Sequence, residues 1–242
     1  VTTEERRAAL DAIAAEVHGC RRCRLFEQRT QAVPGEGHPD TEVVFVGEGP
    51  GQNEDRLGRP FVGAAGSLLE ELLALLGWRR QDVFITNVVK CRPPGNRDPE
   101  ADEMAACAPF LRRQLEVLDP ALVVTLGRFS LQAFMPGDTI SRVHGTERPI
   151  DAASGARAAT GFAMYHPAAA LRQTALKETM QRDMAAIPET LIRARAARAA
   201  LAGSEPIPAA VMADPPATAP ISRPQAAEDP SMTIPDDQLG LF

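Results

Sequence analysis

Four short apolar runs alternate with stretches of helical pattern, and this alternation narrows what the chain can become. The runs are EVVFV at 42–46, VFIT at 83–86, ALVVTL at 121–126 and GFAMY at 161–165. Each is too short for a buried helix and rich in β-branched or aromatic residues, so each reads as a buried strand. Helical pattern covers residues 4–17, 66–76, 99–118, 128–134 and 168 to about 201, with an interruption expected at Pro188. Strands separated by helices imply an α/β fold, with a largely parallel sheet covered on both faces. Such sheets gather their chemistry in loops beyond the carboxyl ends of the strands. Three loops stand at those ends: GEGPGQNED, NVVKCRPPGNRD and HPAAALR. They are expected to converge on one crevice.

The last part of the chain is different in kind. After Tyr165 no aromatic residue occurs until Phe242. Residues 203–237 hold eight prolines and little that is large and apolar, the composition of a disordered linker. The expected organisation is a folded body at 1–202, the linker at 203–237 and a terminal peptide at 238–242. The net charge of −6 divides the same way. From residue 203 onward six acids face one base, Arg223, which leaves about −1 for the body. A near-neutral body neither excludes nucleic acid nor argues for it. The N-terminal stretch is a charged amphipathic helix without the apolar core of a signal peptide, and no run reaches membrane-spanning length. A soluble, cytoplasmic protein is expected, with no membrane partner.

In a reducing compartment, four cysteines suggest metal ligation or catalysis before disulfides. Cys20 and Cys23 form C-x2-C, whose turn can aim two thiolates at one metal or cluster. Cys91 and Cys107 adjoin a loop and a helix. A zinc ribbon would show a second C-x2-C, which this sequence lacks; Cys107 alone would read as a packed helix residue. Spacing leaves cluster and zinc open.

The turn Gly47-Glu48-Gly49-Pro50-Gly51 lacks the Lys-Ser/Thr of a phosphate-binding loop. Its acids Glu48, Glu54 and Asp55 would repel phosphates and suit positioning of water or stabilisation of a cation; a solvated acidic turn is the plainer alternative. Asn87, at a strand end, presents a donor and an acceptor in one plane, which suits the edge of a base or a capped turn. Phe61, in a glycine-rich loop, reads as a core residue or a stacking platform. His166-Pro167 ends the last strand, where a histidine can donate a hydrogen bond to developing negative charge. His18, His38 and His144 read as structural.

Taken together, CRRCRLFEQRTQAVPGEG, VFVGEGPGQNED, GRPFVGAAGSLLEELL, ITNVVKCRPPGNRDP, the Cys107 helix and MYHPAAALR resemble the family 4 uracil-DNA glycosylases over about residues 5–190. The resemblance implies a four-stranded parallel sheet in an α/β/α sandwich, and a four-iron, four-sulfur (4Fe–4S) cluster held by Cys20, Cys23, Cys91 and Cys107. It implies a monofunctional enzyme that flips uracil out of single- and double-stranded DNA and hydrolyses its N-glycosidic bond. By the same matching, Phe61 stacks on the base, Asn87 reads its polar edge and Gly49 belongs to the uracil-binding set. Glu54 opposes a 5-methyl group, His166 bonds the base O2, and Glu48 lies near the water and sugar. Leu171 and Arg172 are candidates to fill the vacated stack and hold a phosphate. Glycosylases that bind uracil covalently carry a basic His-containing loop where this chain has CRPPG, so turnover is expected. A non-catalytic module recognising uracil or abasic DNA is the rival reading, against which the presence of Glu48, Asn87 and His166 argues.

The chain given ends Gln238-Leu239-Gly240-Leu241-Phe242. This resembles the peptide by which bacterial repair proteins dock on the DNA polymerase sliding clamp, with Leu239, Leu241 and Phe242 as apolar anchors and Gln238 as an oriented hydrogen-bonding group. The alternative is a frayed terminus.

Overall fold

A computed structural model describes residues 1–203 of the chain. Helix α1 (Thr3–Gly19) starts at a capping box, in which the Thr2 hydroxyl accepts from the Glu5 N–H and the Glu5 carboxylate accepts from the Thr2 N–H. There follow β1 (Glu36–Gly37), β2 (Val43–Gly47), α2 (Gln52–Leu57), α3 (Ala64–Leu75), β3 (Phe84–Asn87), α4 (Ala101–Leu118), β4 (Leu122–Leu126) and α5 (Arg128–Phe134). The described part closes with α6 (Ile140–Val143), β5 (Glu147–Pro149), β6 (Thr160–Met164), α7 (Pro167–Ala170) and α8 (Thr174–Gly203).

The sheet runs β1-β3-β2-β4-β6-β5. Its centre, β3-β2-β4-β6, is parallel, as the four apolar runs led us to expect. Two antiparallel edge strands enlarge it to six: β1 beside β3 and β5 beside β6. These edges are two and three residues long and partly exposed, so no hydrophobic run announces them. Short edges, one closed by Pro149, also offer little backbone for unwanted pairing.

Alternation along the strands sorts the core into two layers. Val44, Val46 and Val123 face Ile13 and Val17 of α1, Leu111 and Leu115 of α4, and Leu131 of α5. Val43, Phe45 and Val124 face Leu69 and Leu72 of α3, and Met180, Met184 and Ile187 of α8. Neither face of the sheet is left open, which is why every residue of β2 and β4 is buried.

The expected interruption at Pro188 does not occur. The helical stretch breaks earlier, at residues 171–173, and α8 then runs through Pro188 to Gly203. Proline inside a helix costs about 3 kcal/mol. Each of Met180, Met184, Ile187 and Leu191, all buried on the sheet, returns roughly 1.5–3 kcal/mol, so packing outweighs propensity. Among the described residues no helix is long and apolar enough to cross a membrane. Apart from Gly203, the expected linker at 203–237 and the peptide at 238–242 lie outside the described residues.

Candidate active site

The parallel register brings Gly47, Asn87 and Met164 to the same end of the sheet. Gly47 pairs with Asn87 across β2 and β3, and Leu126 with Met164 across β4 and β6. Beyond these ends the chain segments close a cavity of about 270 Å³, lined by Glu48, Gly49, Glu54, Phe61, Asn87 and His166, among others. That is close to the small end of ligand sites, room for one flat heterocycle. The three loops therefore do converge. A larger apolar groove of about 410 Å³ lies apart from them, beside α4 and α5.

Each wall of the cavity is held from behind. The Glu54 carboxylate, on α2, accepts from the Val62 and Gly63 N–H groups at 2.8 and 2.9 Å and so pins the loop that carries Phe61. Phe61 stands at φ 52°, strained for a residue with a side chain, and its carbonyl accepts from Arg80 Nη1 at 2.7 Å. It is buried at 6% exposure, as a core residue is, and it also lines the cavity. The β2–β3 pairing continues past the strands, with Val88 N–H donating to the Gly47 carbonyl and Val89 N–H to that of Glu48.

Glycine is needed at Gly47 for steric reasons. A Cβ there would come within 2.4 Å of Asn87 Oδ1 and 2.6 Å of Phe61 Cζ. Likewise a Cβ on Gly49 would meet Val89 Cγ2 at 2.7 Å. Asn87 itself is buried, and its Oδ1 has no hydrogen-bond partner. A buried carbonyl oxygen left unpaired is costly, and here it opens on a cavity.

His166 caps α7. Its Nδ1 accepts from the Ala168 N–H at 3.1 Å, and its ring stacks on Phe61 with centroids 5.7 Å apart. Burial pushes its pKa down to about 4, against a smaller upward pull from Glu54. At neutral pH the ring is therefore uncharged, and with Nδ1 accepting, the proton sits on Nε2. Glu48 is pushed above the usual carboxylate range, by burial first and then by Asp98, with Arg128 opposing. Leu171 and Arg172 are exposed at the end of α7, and Leu171 is 51% accessible.

The four cysteines are free thiols. Cys91 and Cys107 are buried in the core layer under α1 and α4, and Cys20 and Cys23 pack against that layer. Burial raises the thiols of Cys23, Cys91 and Cys107, that of Cys107 to about 11. Charges on Cys23 and Cys20 would raise Cys91 further, and charges on Cys91 and Cys23 would raise Cys107. Arg29 Nη1 donates to Cys91 Sγ at 3.0 Å and the Lys90 N–H to Cys107 Sγ at 3.2 Å. Among the described residues no three of His, Cys, Asp or Glu gather as ligands for a single metal ion. A four-iron cluster makes a different demand, one thiolate on each iron at separated corners, and four neighbouring thiols with donors on two sulfurs fit it.

Sequence reasoning missed the connections between these regions. Glu103, wholly buried, accepts from Arg97 Nη1 and Nη2 at 2.9 and 2.6 Å and pairs with Arg24 Nε at 3.2 Å. It joins the residue after Cys23 to an arginine that lines the cavity. Lys90 is also enclosed, its ammonium pushed down to about 8 by burial. The signal was a single charge inside the apolar run FITNVVKC. His144, read as structural, bonds Asp183 through Nδ1 at 2.9 Å, away from the cavity lining.

Comparison with known proteins agrees with this architecture. Residues 34–187 match the uracil DNA glycosylase superfamily. The type-4 uracil-DNA glycosylase of Sulfurisphaera tokodaii is 46% identical over 76% of this chain and 86% of its own length. That of Archaeoglobus fulgidus is 46% identical over 75% and 92% respectively. The Thermotoga maritima enzyme is 47% identical over 69% and 85%. With family model, relatives, sheet and pocket in agreement, the chain belongs to the uracil-DNA glycosylase superfamily and sits among its type-4 members.

Proposed function

We propose that this protein excises uracil from DNA by hydrolysing the N-glycosidic bond, leaving the abasic site from which base excision repair proceeds. The type-4 relatives bear that activity in their names. The observation that carries the reading in this chain is the unpartnered Oδ1 of Asn87 at the cavity wall. An orphaned acceptor calls for a donor. Uracil brings one at N3, whereas cytosine has a bare acceptor there.

A base inside a duplex is out of reach of such a cavity, so it is flipped out, which costs a few kcal/mol. Phe61 offers the flipped ring a face. The Asn87 amide donates to O4 and accepts from N3–H, a pattern that cytosine reverses, worth about 1–3 kcal/mol of discrimination. Glu54, held by two N–H groups, forms the wall that a 5-methyl group would meet, so thymine is refused; Gly49 lets the loop approach the base.

Bond breaking leaves a cationic sugar and a uracil anion. Neutral His166, with its proton on Nε2, donates to O2 where that negative charge develops, worth about 3 kcal/mol by analogy with oxyanion-hole donors. A cationic imidazole is not required. Ionised Glu48 favours the cationic sugar and orients water. Leu171 fills the gap in the stack, and Arg172 holds a phosphate.

Cys20, Cys23, Cys91 and Cys107 would hold the 4Fe–4S cluster. When bound, the cluster supplies a cross-link among the 20–23 loop, the turn after β3 and α4. The body at 1–202 acts as a monomer. The linker at 203–237 would span about 30–40 Å as a coil. It would tether the enzyme, through Gln238, Leu239, Leu241 and Phe242, to a polymerase sliding clamp at around millimolar local concentration.

The test is a labelled uracil oligonucleotide treated with purified protein and then alkali. Cleavage at the uracil supports the reading, and an intact strand ends it. Deleting residues 238–242 should abolish clamp binding and leave excision on short strands unchanged; clamp binding that survives the deletion removes the docking proposal.

A further inference from the structure

The proposed reading of the base rests on Asn87, yet the acceptor end of that side chain is held by nothing in the protein. Its orientation comes from packing beside Gly47 and from the backbone beneath it. The Asn87 carbonyl accepts from the ammonium of Lys90 at 2.8 Å. The same ammonium donates to Thr86 Oγ1 at 2.5 Å and to Gln114 Oε1, on α4, at 2.7 Å, which uses all three of its N–H bonds. Gln114 Nε2 and the Thr86 hydroxyl both donate to the Pro34 carbonyl, at 2.8 and 2.9 Å. The backbone of Lys90 is equally committed, its N–H to Cys107 Sγ and its carbonyl to the Val33 N–H.

All three acceptors around the ammonium are neutral. With no carboxylate partner the ammonium makes no direct ion pair to offset its desolvation, and only a charge on Cys107 would favour it. Its bonds do accomplish something else. They fasten the end of β3 to α4 and to the 33–34 segment, on the side of Asn87 that its pairing with Gly47 of β2 does not hold.

We infer that Lys90 is a positioning residue, holding the Asn87 backbone at the end of β3 so that its amide faces the base cavity. This rests on the proposed role of Asn87. A small misplacement of a recognising group costs up to about a hundredfold in rate. Replacement by methionine, K90M, keeps much of the length and removes the donors.

The experiment is a double-mutant cycle in the full chain, measuring single-turnover excision and binding of a uracil oligonucleotide. K90M should slow excision by about 10- to 100-fold while binding changes by less than about threefold. In the N87A background, the same substitution should add less than about threefold, because the group it positions is gone. Equal losses in both backgrounds would mark Lys90 as merely structural and overturn the inference, as would a wild-type rate for K90M. If N87A alone excises at the wild-type rate, it is the reading of Asn87 that fails. Should K90M not fold, T86V replaces it in the cycle: it removes one acceptor and leaves the charge in place. The same non-additivity, smaller in size, is then expected, and an additive loss overturns the inference.

Discussion

The base cavity and the cysteine region come within four residues of each other, at Asn87 and Cys91, yet the protein completes them to different degrees. Around the cavity its own atoms suffice. Two N–H groups hold Glu54, one holds His166, and the missing Cβ of Gly47 leaves room for Asn87 and Phe61. The cysteine region has four unpaired thiols from three stretches of chain, and burial makes three of them harder to ionise. The difference has a physical origin. In the proposed reading a neutral base is met by the Asn87 amide and the neutral His166 ring, groups that a fold can aim in advance. Ligation needs thiolates, and closely spaced negative charges become stable only when a cationic group arrives with them. One region is preformed, and in the proposed reading the other is completed by the cluster.

The hardest test of this contrast is Cys107→Ser. If the cysteine region is completed by a bound cluster, losing the ligand on α4 removes the cross-link among three segments. We expect absorbance near about 400 nm to vanish and stability to fall by several kcal/mol, enough to leave much of the protein insoluble. Asn87→Ala and His166→Ala should keep their colour. A soluble Cys107→Ser protein with wild-type melting and rate would erase the distinction.

On the cavity side the largest effect belongs to His166→Ala. Removing one donor aimed at developing charge costs about 2.7–4 kcal/mol, or 10²–10³ in the rate of excision. Loss of the α7 cap costs about 1 kcal/mol of stability as well. Single-turnover rates and melting curves separate the two. A rate loss under tenfold would mean that the leaving anion is stabilised elsewhere.

The same contrast explains what the sequence disclosed. The parallel centre of the sheet was legible because buried strands must be written in continuous apolar runs. The strand ends likewise mark the positions of Glu48, Asn87 and His166, which line the cavity. The edge strands at 36–37 and 147–149 were not legible, since their pairing depends on neighbours and not on their own composition. Pro188 misled for a related reason: tertiary packing overrode a local preference. The interactions of Lys90 and Glu103 join residues distant in the chain, such as Lys90 with Gln114 and Arg24 with Glu103, and no local pattern encodes them.

A subtler probe of preorganisation is Asn87→Asp. The carboxylate accepts but no longer donates, so it loses O4 of uracil and suits the amino group of cytosine. We expect uracil excision to fall by about 10- to 100-fold, matching 1–3 kcal/mol of edge recognition, with cleavage at cytosine rising above background. Paired uracil and cytosine oligonucleotides measure both. If selectivity is unchanged, Asn87 does not read the edge.

The smallest effect is one of pH, and its sign follows from His166. In the unfolded chain the imidazole takes up a proton near pH 6.5, while in the fold it does so only near 4. Between these values the unfolded state binds more protons, so the contribution to stability is complete above about 6.5 and is lost as pH falls toward 4. Allowing for the partial exposure of the ring, this amounts to about 1–2 kcal/mol, seen as a shallow fall in melting temperature that His166→Gln lacks. Excision should show no inflection near 6.5, because the neutral ring with its Nε2 proton persists far below it. Its acid limb should instead follow Glu48, whose buried carboxyl takes up its proton above the ordinary 4.5 and then no longer favours a cationic sugar. A rate inflection near 6.5 that disappears in His166→Gln would mean that water reaches the ring freely and that the cavity is not dry until the base enters it.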